Sequence, residues 1–239
     1  MIKKSTLDYL NDLRNNNTKP WFEKNKDRYM AAHANMIDFA EALIDEVAKI
    51  DKIVPVTGKK SLMRIYRDVR FSKDKTPYKS YWGGGIKRAT KALRGGMYYH
   101  IEPAGFKKNS SPTNAKGHGN MIAGGFWNPD PKDLKRIREE IANDDKPLRK
   151  IVAAKKFKEY FGELHGEKVK SAPRGFNKDH KAIDLLRHKQ FLLYRRFSDK
   201  EIMADSFVKE AAKTYKAMHP FFNYLSDVLT TDANGVKIV

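Results

Sequence analysis

Apolar residues change their spacing twice along the chain, and the two changes predict helices, then strands, then helices again. Leu7, Leu10 and Leu13 recur at helical spacing behind Ser5, which forms a capping-box pattern with Asp8, and Asn15, Asn16 and Asn17 end the run. Thr18 and Pro20 suit a second start. Beyond it Tyr29, His33, Met36, Ile37, Ala40, Leu43, Ile44 and Val47 draw one long apolar stripe. From about residue 60 the period falls towards two, and strands are predicted at 61–67, 80–87, 96–102 and 120–127, with a shorter fifth at 190–196. Their short connections favour an antiparallel meander. Residues 104–118 are polar and turn-rich and read as a surface excursion without chemistry.

Asn128, Pro129, Asp130 and Pro131 combine a stop, an N-cap and an N1 proline, and Leu134, Ile137 and Ile141 continue as a stripe. A further helix from Pro147 to Phe161 is predicted to break near Ala154 and to end at Gly162, and 163–181 read as irregular. Two last helices are predicted, one carrying Phe207, Val208, Ala211, Tyr215 and Met218, the other following Pro220 with Phe222, Leu225, Val228 and Leu229. The order implies an α+β fold, a meander of four to five strands packed with N-terminal and C-terminal helices. One domain over 1–239 is expected, with a helical part (1–58), a basic sheet part (59–128) and a mainly helical part (129–239).

Composition narrows the chemistry. With 40% apolar residues in 239 the chain can bury a core. The absence of cysteine excludes disulfides, thiolate metal sites and a cysteine nucleophile. No apolar stretch approaches 18 residues and the N-terminus has no apolar signal core, so no membrane span is expected and a cytoplasmic location is. Charge is concentrated: residues 59–128 hold fifteen Lys/Arg against Asp68, Asp74 and Glu102, which is +12 of the total +19.

Within that segment, residues 64–79 interleave Arg64, Arg67, Arg70, Lys73, Lys75 and Lys79 with Tyr66, Phe71 and Tyr78. Extended throughout, the chain would project Arg64 and Arg70 together, Arg67 joining them only through a bulge or turn. Guanidinium forks match phosphate or carboxylate oxygens. The competing reading is an exposed strand whose cations cover apolar surface. Gly83, Gly84, Gly85, Gly124 and Gly125 lie in predicted strands, where they leave a floor for a ligand flanked by Trp82 and Trp127, or else room for bulges and a close helix. Candidate lining residues are Tyr66, Tyr78, Trp82, Gly84, Glu102, Gly124 and Trp127. His100 and Glu102 alternate in phase and share a sheet face, which makes His100 a candidate acid/base. Arg174 to His180 is a second cluster, offering Arg174 for an anion and His180 for proton transfer, with Asp179 read as a helix N-cap. The seven histidines show no metal-ligand spacing.

WFEKNKDRY at 21–29, RIYRDVRFSKDKTPYK at 64–79, GGFWNPDP at 124–131 and APRGFNKDH at 172–180 together resemble the domain of unknown function 2461 family over nearly the whole chain. The resemblance implies one domain and supplies no reaction or cofactor. It places Trp21, Arg64, Arg67, Arg70, Lys73, Lys75, Tyr78, Lys79, Arg174, Lys178 and His180 in recurring motifs, and 104–118 outside them. The residues lead to an expected anionic ligand, nucleic acid being the favoured form. The alternatives are an enzyme acting on a phosphorylated or carboxylated small molecule and an interaction protein for an acidic partner.

Overall fold

The computed structural model describes residues 1–103, 119–232 and 236–238, so the 104–118 excursion lies outside the described residues. Helices α1 (Lys4–Asn15), α2 (Lys19–Lys24), α3 (Lys26–Ala48) and the one-turn α4 (Gly58–Ser61) precede strands β1 (Trp82–Lys87), β2 (Gly96–Ile101) and β3 (Asn120–Phe126). Then follow α5 (Pro131–Asn143), α6 (Lys146–Ala153), α7 (Lys155–Phe161), α8 (Ile183–Leu186), strand β4 (Phe191–Phe197), α9 (Asp199–Ile202) and α10 (Phe207–Thr230). The sheet is an antiparallel meander in the order β1-β2-β3-β4, and the fold is α+β.

Strand alternation sorts the sheet into two faces. Register places Trp82, Gly84 and Ile86 beside Ile101, Tyr99 and Met97, and these beside Ile122 and Gly124. This face is packed against α3 and α10: Phe39 meets the Tyr99 ring edge-on at 5.6 Å and stacks on Phe207 at 5.5 Å. The opposite face carries Gly83, Gly85, Tyr98, His100, Met121, Ala123, Tyr194 and Arg196. One core cluster draws on residues from α1 to α10, and no helix of the described residues is long and apolar enough to cross a membrane.

Four local expectations change. The Ser5–Asp8 capping box is not formed: α1 starts at Lys4, with Lys3 at the N-cap making no side-chain cap, and Asp8 pairs with Lys4 instead. Residues 61–67 are not a strand of the sheet. Leu62 makes a single bridge to Gly84 and Tyr66 another to Tyr78, and Pro77, which has no N–H to donate, prevents the second pairing from growing into a ladder. The helix break at Pro220 is absent because α10 runs through it; Pro220 is exposed, so the carbonyl its ring frees can turn to water. Asp179 caps nothing, since α8 begins after Ala182. Thr18 and Asp130 do cap α2 and α5, and the chain breaks at Ala154 and ends α7 at Gly162 with φ +71°.

The loop before β4 makes stability sensitive to acid. His188 is 1% exposed and its Nδ1 meets the Gln190 carbonyl at 3.1 Å. Burial, with Lys168 nearby, pushes its pKa down to about 4. An unfolded histidine titrates near ~6.5, so as pH falls from there the unfolded chain takes up the proton first and folding stability is lost, by about 3 kcal/mol at pH 4. Urea unfolding at pH 7, 5.5 and 4.5 should therefore show falling stability, and His188→Gln should flatten that slope; an unchanged slope would assign the acid sensitivity elsewhere.

Candidate functional site: a basic hairpin beside a buried Tyr–His–Glu chain

Thr57 caps α4 through the Lys60 N–H, and the chain then leaves along the free edge of β1, where the Met63 N–H donates to the Gly83 carbonyl at 2.8 Å. It turns back on itself. Arg67 N–H donates to the Pro77 carbonyl and Lys79 N–H to the Ile65 carbonyl, both at 2.8 Å, closing an irregular hairpin. Its base is anchored by buried Ile65 and Tyr78, the latter stacked on Phe22 at 4.1 Å. Asn17 clamps Tyr78 from both sides, donating to its carbonyl at 2.9 Å and accepting from its N–H at 3.0 Å.

This reversal redistributes the cations. Arg67 pairs with Asp74 at 3.1 Å and donates to the Thr76 carbonyl at 2.9 Å. Arg70 grips Asp68 through two nitrogens, at 3.0 and 2.7 Å, so the Arg64–Arg70 row of a uniformly extended strand does not form. Lys75 donates to the Val69 carbonyl at 3.0 Å. Lys79 returns beside Arg64, donating to the Arg64 carbonyl and, at 2.7 Å, to that of Tyr66. Burial and the neighbouring charges of Arg64 and Arg67 hold its ammonium below the ordinary lysine range. The cations that crowd one another are thus Arg64, Arg67 and Lys79. Arg64 and Lys73 are exposed with no partner among the described residues. Tyr66 is half exposed, and Phe71 is 96% exposed, with the Arg70 guanidinium 5.8 Å from its ring centre.

On the sheet face away from α10, Tyr98, His100 and Glu102 stand in phase. Tyr98 Oη lies 2.9 Å from His100 Nδ1, and His100 Nε2 lies 3.2 Å from Glu102 Oε2. An ionised carboxylate only accepts, so a neutral ring carries its proton on Nε2 and Nδ1 accepts the Tyr98 O–H. Glu102 is held by Arg14 Nη2 at 3.5 Å, and its N–H donates to Asn120 Oδ1 at 3.1 Å, while Asn120 donates to Asp199 at 2.7 Å. Tyr81 lies over the His100 ring, 4.3 Å away. Burial raises the pKa of both tyrosines; at Tyr81 the Glu102 charge adds to the rise and the Arg67 charge opposes it. Tyr81 follows the returning arm of the hairpin and stacks on His100, which joins the hairpin to the chain. His100 and Glu102 were legible from strand phase, and Tyr98 obeys the same phase. Tyr81, Arg14, Asn120 and Asp199 carry no local signal, because fold contacts alone bring them there.

The other candidates separate. Gly84 is filled by the Tyr99 ring, and Gly124 by Met218 and Phe222 of α10, so both serve close packing and neither leaves a floor for a ligand. Trp82 is buried, stacked with Tyr29 at 5.8 Å and His33 at 5.6 Å. Trp127 is half exposed at the end of β3. Arg174 is exposed without a partner among the described residues, and His180 Nδ1 accepts the Ala182 N–H at 3.1 Å, fixing the turn into α8. No described contact joins that loop to the hairpin.

The molecule is thus an α+β protein whose meander is covered by helices on one face and bears, on the other, a buried Tyr–His–Glu chain flanked by a basic hairpin. The chain belongs to the family of conserved hypothetical proteins DUF2461, whose model matches residues 5–224. No curated protein matches it, and no solved structure does.

Proposed function

We propose that the protein binds a phosphate-bearing ligand at Arg64, Arg67 and Lys79, the backbone of a nucleic acid being the favoured form. The observation that carries this reading is the placement of Lys79 against the Arg64 and Tyr66 carbonyls, which gathers Arg64, Arg67 and Lys79 at the base of the hairpin with Asp74 as the carboxylate paired to that group. A phosphate would bring opposite charge to that group of cations. Tyr66 and Phe71 stand exposed on the same hairpin and suit base stacking. Arg70 contributes less because Asp68 grips it through two nitrogens, and Arg174 because it lies on another loop; Lys75 donates to the Val69 carbonyl.

Fluorescence anisotropy with labelled single- and double-stranded 12-mers, read at 50 and 200 mM salt, tests the proposal, with pyrophosphate as competitor to separate a small ligand from a polymer. Arg64 is exposed and unpartnered, so Arg64→Ala should leave folding intact, weaken binding about 5-fold at low salt and flatten the salt dependence by about one unit of slope. No binding of any of these at 50 mM salt would reject the reading.

A second reading, an enzyme acting on a phosphorylated or carboxylated small molecule, is favoured by the Tyr98–His100–Glu102 chain beside Arg67. Arg67 would hold the anion while His100, oriented by Glu102, exchanged a proton through the Tyr98 hydroxyl. Turnover abolished by Tyr98→Phe with ligand affinity retained is its expected signature.

A further inference from the structure

The connection from β1 to β2 and the end of β3 line an open cleft of about 590 Å³ whose lining contains no acidic residue. Four cations border it, and they are not equivalent. Arg88 is neutralised by Asp51 at 2.8 Å and Arg94 by Asp133. Lys87 and Lys91 are exposed and have no partner among the described residues. Beside them stands Trp127, 47% exposed. The adjoining Gly125 has φ +125°, and a Cβ there would come within 2.2 Å of the Phe191 carbonyl of β4, so it is held to glycine by its conformation and by strand packing.

We propose that this cleft is a nucleotide site, separate from the hairpin, with the base stacked on Trp127 and the phosphates on Lys87 and Lys91. Two unpaired ammonium groups suit a phosphate, and a half-exposed indole suits a flat aromatic ring. A ligand carrying both groups answers both features, and the volume falls within the ~300–1,000 Å³ typical of small-molecule sites.

Equilibrium dialysis with ATP at 50 mM salt, run in parallel with adenosine and with inorganic tripolyphosphate, tests this. ATP should bind more tightly than either fragment. Trp127→Ala should weaken ATP about 10-fold and leave tripolyphosphate unchanged, while Trp127→Tyr retains most of the affinity. Lys87→Ala with Lys91→Ala should weaken ATP and tripolyphosphate alike, by about 10-fold, and make the remaining binding less sensitive to salt. Arg64→Ala should leave the Trp127-dependent part of ATP binding unchanged, which separates this site from the hairpin. Millimolar ATP failing to bind, or an affinity indifferent to both Trp127→Ala and the double lysine variant, would overturn the proposal. Thermal melts confirm folding, and since the lysines are exposed, the double variant decides the question even if Trp127→Ala is unstable.

Discussion

Gly84→Ala should destabilise the protein by about 3 kcal/mol or more, because neither the strand nor the residue opposite it can yield. A Cβ at Gly84 would sit 2.1 Å from Tyr99 Oη and 2.2 Å from Cζ. Tyr99 is fully buried, is packed edge-on against Phe39, and shares a 2.9 Å hydrogen bond with Ser61; burial pushes its hydroxyl pKa up to about 12. The clash is thus with a side chain fixed at both ends. Gly85→Ala is the matched control: it points to the other face, where the nearest atom is the Met97 carbonyl oxygen at 3.1 Å, and its effect should stay within about 1 kcal/mol, because the backbone entropy gained on replacing a strand glycine offsets the tight contact. Tyr99→Ala alone should cost about 3–5 kcal/mol. Combined with Gly84→Ala it should cost clearly less than the sum, because removing the ring removes the clash. Urea unfolding of the four variants reads this directly, and additive behaviour would show that Gly84 is not the seat of Tyr99.

Arg88→Met should cost about 3–5 kcal/mol by stranding Asp51. The two side chains are 4% and 7% exposed, and Arg88 Nε donates to Asp51 at 2.8 Å. Tyr215 donates to the same carboxylate at 2.7 Å, and the other guanidinium nitrogens reach the Arg94 carbonyl and Asn223, both at 3.2 Å. This cluster ties the segment after α3 to β1, to the β1–β2 connection and to α10. Asp51→Asn with Arg88→Met should be less destabilising than Arg88→Met alone, since the amide needs no counter-charge. Equal losses in the single and double variants, measured by chemical unfolding, would place the energy in packing and not in the charge pair.

Element types were legible wherever the determinant was local. The stripe of α3, the Thr18 and Asp130 caps, the break at Ala154 and the β2 phase that aligns His100 with Glu102 all arise from residues within a few positions of one another. Failures occurred where a distant partner decided the outcome. Pro77 limits the pairing of 61–67 from ten or more residues away, and α10 absorbs Pro220 because that position faces out. Arg67 read as a candidate anion ligand, and the hairpin turn brings Asp74 onto it from seven residues on. The strand glycines read as open floor because their occupants come from another strand and another helix.

By itself the sequence determined an α+β order of elements, a positive field concentrated in residues 59–128, and a histidine and a glutamate on one strand face. Tertiary structure alone decided which charges remain unpaired, which glycines are filled, and that Arg67 and Glu102 both act on Tyr81. Hydrogen-bonding and hydrophobic periodicity act over a few residues and are written in local patterns. Neutralisation and cavity filling depend on atoms within about 4 Å in space, whatever their separation along the chain.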